Sequence, residues 1–457
     1  MSEYVLDPAE LVAQGYHTVI VATPDLQGRL VGRRVPADSF DRVAEAGVDI
    51  CKCVFAWDLE QDLSLIENDV FPLCGMHNGI PDVTLTPDLS TLRPAAWLDG
   101  IAICLADPYD RVTGEYLPLS PRVLLRRQID RLGATGRRVF TGTELEFYLF
   151  RNDPRELRRS GFVDLEPTTL KPADFMIHEG NLYEGFFRKL RADLRASGIE
   201  VEAAQSEWGT GQWEMTFRYT DPLEMADRHV LYKLAVRDAA AMAGMSATFM
   251  AKPLNDGQPG SSCHVHLSMV DERAAPVFWE EAATHRISAI MEHSIAGVLQ
   301  RIPDFMAWYA PTVNSYRRTN AGDVAGWGRT WGLDNRTTSV RVVGHRAADL
   351  RLEFRIPGAD TNPYLTLAAL IASVRDGIEE QRRPPVMTAG NGYETERDPG
   401  FAQHLGAATD ALRASTFARA EMGADVVDHF CDLWAHEWSS FLGTVADWDL
   451  RRYFDRI

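Results

Sequence analysis

Four short segments alternate between apolar and ionisable side chains, and each gathers its ionisable residues on one side. The first is Val139 to Phe150, VFTGTELEFYLF. Successive strand side chains point to opposite faces, so Glu144 and Glu146 share one face while Leu145, Phe147 and Leu149 share the other. The second runs from Glu207 to Glu214 around a Gly209-Thr210-Gly211 bend; beyond it Glu214, Thr216 and Arg218 oppose Trp213, Met215 and Phe217. In the third, Cys263-His264-Val265-His266-Leu267, both histidines lie together. In the fourth, Leu350 to Ile356, Arg351, Glu353 and Arg355 lie together. A chain of this kind must bury the apolar faces as one side of a sheet and collect acids on the other. A wet edge face explains any one strand taken alone. The recurrence, with Glu and His where exposed strands usually mix Lys, Thr and Ser, favours a functional face.

If these strands share a sheet, Glu144, Glu146, Glu207, Glu214, Glu353 and His264 converge. Buried carboxylates without cations would raise their pKa and neutralise. Oxygen-rich ligation with one imidazole suits Mg²⁺ or Mn²⁺ rather than structural zinc. A cationic group lies close in sequence: Arg317, Arg318, Arg336, Arg341 and Arg355. Guanidinium groups form bidentate pairs with carboxylates and phosphates. Ion pairs across a surface are the competing reading. Metals with several arginines suit an anionic substrate and a transferring phosphoryl group.

The composition limits the partners. Lys plus Arg is 47 and Asp plus Glu is 65, a formal net charge of −18. Such a surface argues against general nucleic-acid binding and electrostatic membrane docking. No window approaches the ~18 apolar residues of a spanning helix, and the acidic start, Met1 to Glu10, does not read as a signal peptide. The six cysteines, Cys51, Cys53, Cys74, Cys104, Cys263 and Cys431, read as buried thiols in a reducing cytoplasm.

The pattern predicts an α+β chain. The first part holds strands at His17 to Thr23 and at Ile101 to Leu105, the latter closed by Asp107-Pro108, in a small mixed sheet. Ser120-Pro121 reads as a helix start, with Gly133 as its stop. The domain boundary is placed near residue 115. Beyond it, helices are expected over Leu223 to Met242, Ala282 to Arg301 and Pro363 to Gln381, and Arg413 to Leu442 reads as largely helical.

The ordered motifs T-E-L-E-F at Thr143, E-x₆-E ending at Glu214, G-S-S-C-H-V-H at Gly260, N-S-Y-R-R at Asn314, N-R-T-x-x-V-R at Asn335, L-E-F-R-I-P at Leu352 and N-P-Y-L at Asn362 together resemble the glutamine synthetase family. D-L-x-G at Asp25 and T-P-D-L-S-T-L-R at Thr86 extend the match into the first part. The resemblance implies a β-grasp domain over 1–114 and a catalytic domain over 115–457, with a curved antiparallel sheet and helices. It also implies a homo-oligomer of hexameric rings, commonly stacked as a dodecamer, with active sites between neighbouring subunits. Carried over residue by residue, Glu146, Glu207 and Glu214 match one metal site, and Glu144, His264 and Glu353 the other. His266, Ser268, Arg336 and Arg341 match ATP contacts; Gly260, Arg318 and Arg355 match contacts to glutamate or its phosphate. Asp58 matches the aspartate that reaches the ammonium site of the adjacent subunit.

The implied chemistry is transfer of the ATP γ-phosphoryl group to glutamate, then attack of an amine on γ-glutamyl phosphate. Departures bear on the nucleophile. Ammonia-using members end the flap after Arg318 with a glutamate; here Val324 holds that position, beside Asp323. Pro259 and Ser262 replace the usual Asn and Gly before His264. Similar flap changes occur in relatives that make γ-glutamyl amides from ethanolamine, polyamines or alkylamines, so an organic amine is favoured. The alternatives are an ordinary ammonia-dependent glutamine synthetase and a catalytically inactive structural relative. Tyr393, near the adenylylation tyrosine of bacterial members, reads as a surface-loop residue.

Overall fold

The computed structural model describes residues 4–255, 257–320, 328–395 and 398–457. Two sheets organise it. The first contains β1 (Thr18–Pro24), β2 (Leu30–Pro36), β3 (Val48–Cys51), β4 (Asp82–Pro87), β5 (Arg93–Pro94), β6 (Ile101–Asp110) and β7 (Glu115–Tyr116), in the order β2-β1-β6-β4-β3 with β5 and β7 on β6. It is mixed, as the pattern predicts: β1 and β6 are parallel and the remaining pairs antiparallel. The β1–β2 turn is tied by the Asp25 carboxylate, which accepts from Gln27 N (3.0 Å), Arg29 N (2.8 Å) and Arg29 Nε (2.7 Å). Strand β6 does not stop at Asp107-Pro108 as expected. Its first half pairs with β1 and its second half with β4, so it runs on through the proline while changing partners. Pro108 has no N–H to offer, but its carbonyl still accepts from Leu117 N at 2.8 Å.

The second sheet contains β8 (Arg137–Phe150), β9 (Val201–Ser206), β10 (Gln212–Phe217), β11 (Ser246–Thr248), β12 (Cys263–Asp271), β13 (Trp331–Leu333), β14 (Val340–Val343) and β15 (Arg351–Phe354). Their order is β13-β14-β15-β12-β8-β10-β9, with β11 on β8. The sheet is antiparallel, as expected, with one parallel pair, β13 with β14. The loop between those two strands is braced by Asn335, whose Oδ1 accepts from Thr337 N (3.0 Å) and Oγ1 (2.6 Å).

The principal helices are α1 (Pro121–Gly133), α2 (Pro222–Met242), α3 (Ala289–Tyr309), α4 (Pro363–Glu379) and α5 (Ala424–Gly443). The apolar sheet face, including Leu145, Phe147, Met215, Val265 and Leu352, is buried, and α1 and α2 contact β8. Each such side chain stabilises the fold by roughly 2 kcal/mol. Helix α3 begins later than expected, where Ser288 Oγ accepts from Met291 N at 3.2 Å, and it continues past Arg301 through Pro303. The region from Arg413 to Leu442 is largely helical, as expected, with two interruptions: Ser415 caps one short helix and Gly423, at φ 106°, ends it before α5. Ser120 occupies the cap of α1 without making the side-chain bond.

Buried Arg122 of α1 ties the two halves together. Its guanidinium donates to Asp88 (2.8 Å), Asp107 (2.9 Å) and Asp227 (3.0 Å), joining the first sheet to α2.

Candidate active site

Strand register assembles the ionisable face. Glu146 lies opposite Glu214, and Glu144 opposite Thr216. Gln205 lies opposite Glu214 from the other side. His264 faces Glu144, and His266 faces Gly142. Glu353 lies opposite His266, and Arg341 opposite Glu353. Directly opposed residues project to the same side of a sheet. All of these charged groups therefore share the face turned away from the apolar core, and Glu207 joins them from the bend after β9.

The contacts divide the cluster into two connected groups. Glu144 Oε1 is 2.8 Å from His266 Nε2, and Glu144 Oε2 is 3.5 Å from His264 Nδ1. His264 Nδ1 is 3.7 Å from Glu353, which also accepts from Arg341 Nη1 at 2.9 Å and from Arg355 Nη1. In the second group Gln205 Nε2 donates to Glu214 (2.8 Å) and Glu207 (3.3 Å). Glu146 Oε2 accepts from Gln212 Nε2 and from Ser262 N, both at 2.8 Å.

Burial sets the electrostatics. It pushes the Glu214 carboxyl up to about 10, helped by the charges of Glu144, Glu146 and Glu207. It pushes Glu146 to about 8, with Glu207 adding to the shift, and Glu207 to about 7, with Asp174 adding. Glu144 is buried too, yet hydrogen bonds from His264 and His266 hold it well below the usual range. Burial, then the Arg355 charge, lowers His264 to about 4.

These residues fit divalent cations. The ligand atoms of Glu144, Glu214 and His264 lie within 4.8 Å of one another, and so do those of Glu144, His266 and Glu353. His264 Nε2 is buried with no hydrogen-bond partner. Carboxylate oxygens with neutral imidazole make a donor set for a hard cation. The groupings cut across the two trios drawn from the resemblance: Glu214 joins Glu144 and His264, and His266 joins Glu353.

The raised carboxyls yield a prediction for the metal-free protein. A carboxyl whose folded pKa exceeds its unfolded value stabilises fully below the unfolded value, and that contribution is lost as pH rises through the folded one. Chelated protein is expected to melt at progressively lower temperature from about pH 6 to about pH 9. Added Mg²⁺ should reverse the loss with release of protons. Thermal melts in chelator and in Mg²⁺ across that range test this; identical slopes would refute it.

Arg318 is buried beside the cluster, donating to Ile356 O (2.9 Å) and Ser262 Oγ (2.8 Å). Gly260 packs on it: a Cβ there would lie 2.6 Å from Arg318 Cγ and 2.5 Å from Ala251 O. Arg355 is buried, and its Nε has no partner. A cleft of about 550 Å³ opens beside the cluster, lined by Glu144, Tyr219, His266, Ser268 and Arg351 among others.

Not every expected residue joins. Arg336 is exposed on the loop after β13. Within one chain Asp58 lies at a different cavity, where its Oδ1 accepts from Glu60 N (3.0 Å) and Asp62 N (2.9 Å). Asp323 and Val324 lie outside the described residues. Four residues without an assigned part hold the site: Gln205, Gln212, Ser262 and Arg351, whose Nε donates to His266 Nδ1 at 3.1 Å. Strand alternation places Gln205 beside Glu207 and Gln212 beside Glu214, so that signal was available for two of them. Ser262 acts through a contact with a residue 56 positions away, which no local pattern contains.

An α+β fold whose sheet carries an acid–imidazole face beside buried arginines defines the class. The family profile described as glutamine synthetase, catalytic domain, matches residues 118–453. The chain belongs to the glutamine synthetase family and is a carbon–nitrogen ligase. It is 37% identical to a gamma-glutamylethanolamide synthetase of Streptomyces coelicolor, over 98% of this chain and 95% of the relative. It is 34% identical to a glutamate–isopropylamine ligase of Pseudomonas sp, over 96% and 95% respectively. A glutamate–methylamine ligase of Methyloversatilis universalis is 31% identical over 94% of each chain. Among solved structures, a GmaS–ADP complex superposes with a TM-score of 0.84 at 26% identity, covering 99% of this chain and 100% of that one. Family members use ATP and divalent metal ions generally. Among the described residues no helix is long and apolar enough to cross a membrane.

Proposed function

We propose that this chain joins the γ-carboxylate of L-glutamate to an organic amine, with ATP as phosphoryl donor. The observation that carries this reading is the register of β10, β8, β12, β15 and β14, which puts Glu214, Glu144, His264, Glu353 and Arg341 on one surface. The relatives named for ethanolamide, isopropylamine and methylamine products support the choice of amine. Val324 at the flap position supports it as well, because an apolar side chain there cannot attract ammonium as a carboxylate would.

In this reading Glu146, Glu207, Glu214, Glu144, His264 and Glu353 hold two or more Mg²⁺ or Mn²⁺ ions. Bound there, those ions neutralise phosphate charge. His266, Ser268, Arg336 and Arg341 contact ATP, and Arg351 orients His266 through the 3.1 Å bond. Gly260 leaves room for Arg318, and Arg318 and Arg355 face glutamate and the phosphate it receives. A γ-carboxylate oxygen attacks the terminal phosphorus and ADP leaves. The amine nitrogen then attacks the acyl carbon, inorganic phosphate departs, and the nitrogen gives up one proton. Guanidinium groups in a dry pocket stabilise the charge that develops in each step.

Asp58 acts in a neighbouring subunit of a stacked-ring cytoplasmic oligomer. The division at 114/115 is supported by the membership of the two sheets, although β7 extends the first sheet to Tyr116.

ADP release with glutamate, Mg²⁺ and a panel of amines, with product mass spectrometry, tests this reading. Organic amines should be used well above ammonium; clear preference for ammonium would overturn it. Val324→Glu is expected to shift relative use toward ammonium by about tenfold, a transition-state difference of about 1.4 kcal/mol. An unchanged ratio would show that this position does not select the nucleophile.

A further inference from the structure

Glu207 has a further carboxylate beside it, on a segment outside the sheet. Residues 173–176 form a tight turn, closed by Met176 N donating to Ala173 O at 2.9 Å. Ser206, the residue before Glu207, holds that turn twice. Its carbonyl accepts from Phe175 N at 3.0 Å, and its hydroxyl donates to Ala173 O at 2.6 Å. Ser206 and Ala173 are both buried. Phe175 takes a left-handed φ of 55°, which a non-glycine residue keeps only where the surrounding bonds hold it. The turn thus fixes Asp174 next to the bend that carries Glu207, and the Asp174 charge bears on that carboxyl. Glu214, by contrast, responds to Glu144, Glu146, Glu207 and Glu353. Asp174 therefore extends the acid face outward past Glu207.

Asp174 is half-buried, and its side chain makes no hydrogen bond or ion pair among the described residues. The bonds that hold the turn to Ser206 use only the backbone of residues 173–176 and leave the carboxylate free. Phe175 and Trp208, the residues that follow Asp174 and Glu207, are each 62% exposed. Aromatic surface next to an acceptor suits a short organic group with a polar end.

We propose that Asp174 determines which amine the site accepts, its carboxylate taking a hydrogen-bond donor, a hydroxyl or a second ammonium, at the far end of a short amine whose other nitrogen is acylated. An ionised carboxylate only accepts hydrogen bonds, so it favours an amino alcohol or a diamine over an alkylamine of the same length. A plain alkyl end would strip water from Asp174 and return no bond. This inference rests on the ligase reading and narrows the amine within it.

ADP release by the full chain with glutamate, ATP and Mg²⁺, measured with ethanolamine, ethylenediamine and propylamine, is the test. Ethanolamine or ethylenediamine is expected to show a kcat/KM at least about tenfold above that of propylamine. Asp174→Ala should lower that ratio by about tenfold. Asp174→Asn separates the two donors, because the amide oxygen accepts from a hydroxyl but offers no charge to an ammonium. If the donor is a hydroxyl, the asparagine variant keeps more of the ratio than the alanine variant; if it is an ammonium, both lose it. Both variants should melt near the parental temperature, since the side chain holds no hydrogen bond. Preference for propylamine, a ratio unchanged in both variants, or a raised Mg²⁺ requirement at constant ratio would overturn the proposal, the last by making Asp174 a metal ligand. Absence of turnover with every amine, ammonium included, would instead end the ligase reading and this inference with it.

Discussion

Glu353→Ala is expected to lower kcat on the order of 10³-fold or more. Glu353 is 1% exposed, accepts from Arg341 and Arg355, and lies 3.7 Å from His264. Its removal takes away an oxygen ligand and the anion that compensates two guanidinium groups. Arg355 would then remain buried with an unpaired charge, its Nε already without a partner. Breaking a buried pair from one side costs far more than the net strength of the pair. Glu353→Gln separates the two consequences, since the amide keeps the volume and one acceptor oxygen but not the charge. It should lose most of the turnover while losing less melting temperature than the alanine variant. Glu144→Ala is expected to match the alanine variant, because Glu144 contacts both His264 and His266. Near-parental ADP release by Glu353→Ala or Glu144→Ala would refute the site.

Gly260→Ala is expected to reduce kcat/KM for glutamate by about 10²-fold, the effect of misplacing a positioning group by about an ångström. The added Cβ would meet Ala251 O at 2.5 Å and Arg318 Cγ at 2.6 Å. Backbone freedom is not the reason for this glycine, as its φ lies outside the left-handed region. Space is. Arg318 is pinned at its far end by Ser262 Oγ and Ile356 O, so its stem has nowhere to withdraw. Either the guanidinium leaves those partners or the segment before β12 moves. KM for glutamate should rise while KM for ATP stays near parental. An unchanged KM for glutamate would show that Arg318 does not meet that substrate.

The strands that carry the acids were readable because alternation is local. Whether Glu144 and Glu146 share a face depends only on backbone geometry over three residues, and β8 carries them as expected. Helix limits were less readable. The start of α3 at the Ser288 cap and the break at Gly423 depend on which polar groups find partners after the chain is packed. The continuation of β6 through Pro108 depends on the neighbour available to each half of that strand. Gln212 shows the same limit inside the site. Its position on the acid face follows from alternation, but its bonds to Glu146 Oε2 and Gly260 O require three separate segments to meet.

Local side-chain order thus determined the composition of the reactive face: glutamates, histidines and arginines on strands with an apolar reverse. The family motifs added the expected chemistry. Tertiary structure alone decided which of these groups touch. It put His266 on Glu144 and opposite Glu353, gave Glu353 to Arg341 and Arg355, and used Gln205 to join Glu214 to Glu207. The physical reason is that alternation assigns a face, whereas register between distant strands assigns a neighbour. Charges respond to their neighbours and burial: on one sheet face Glu214 is pushed up to about 10 while Glu144 is held well below the usual range.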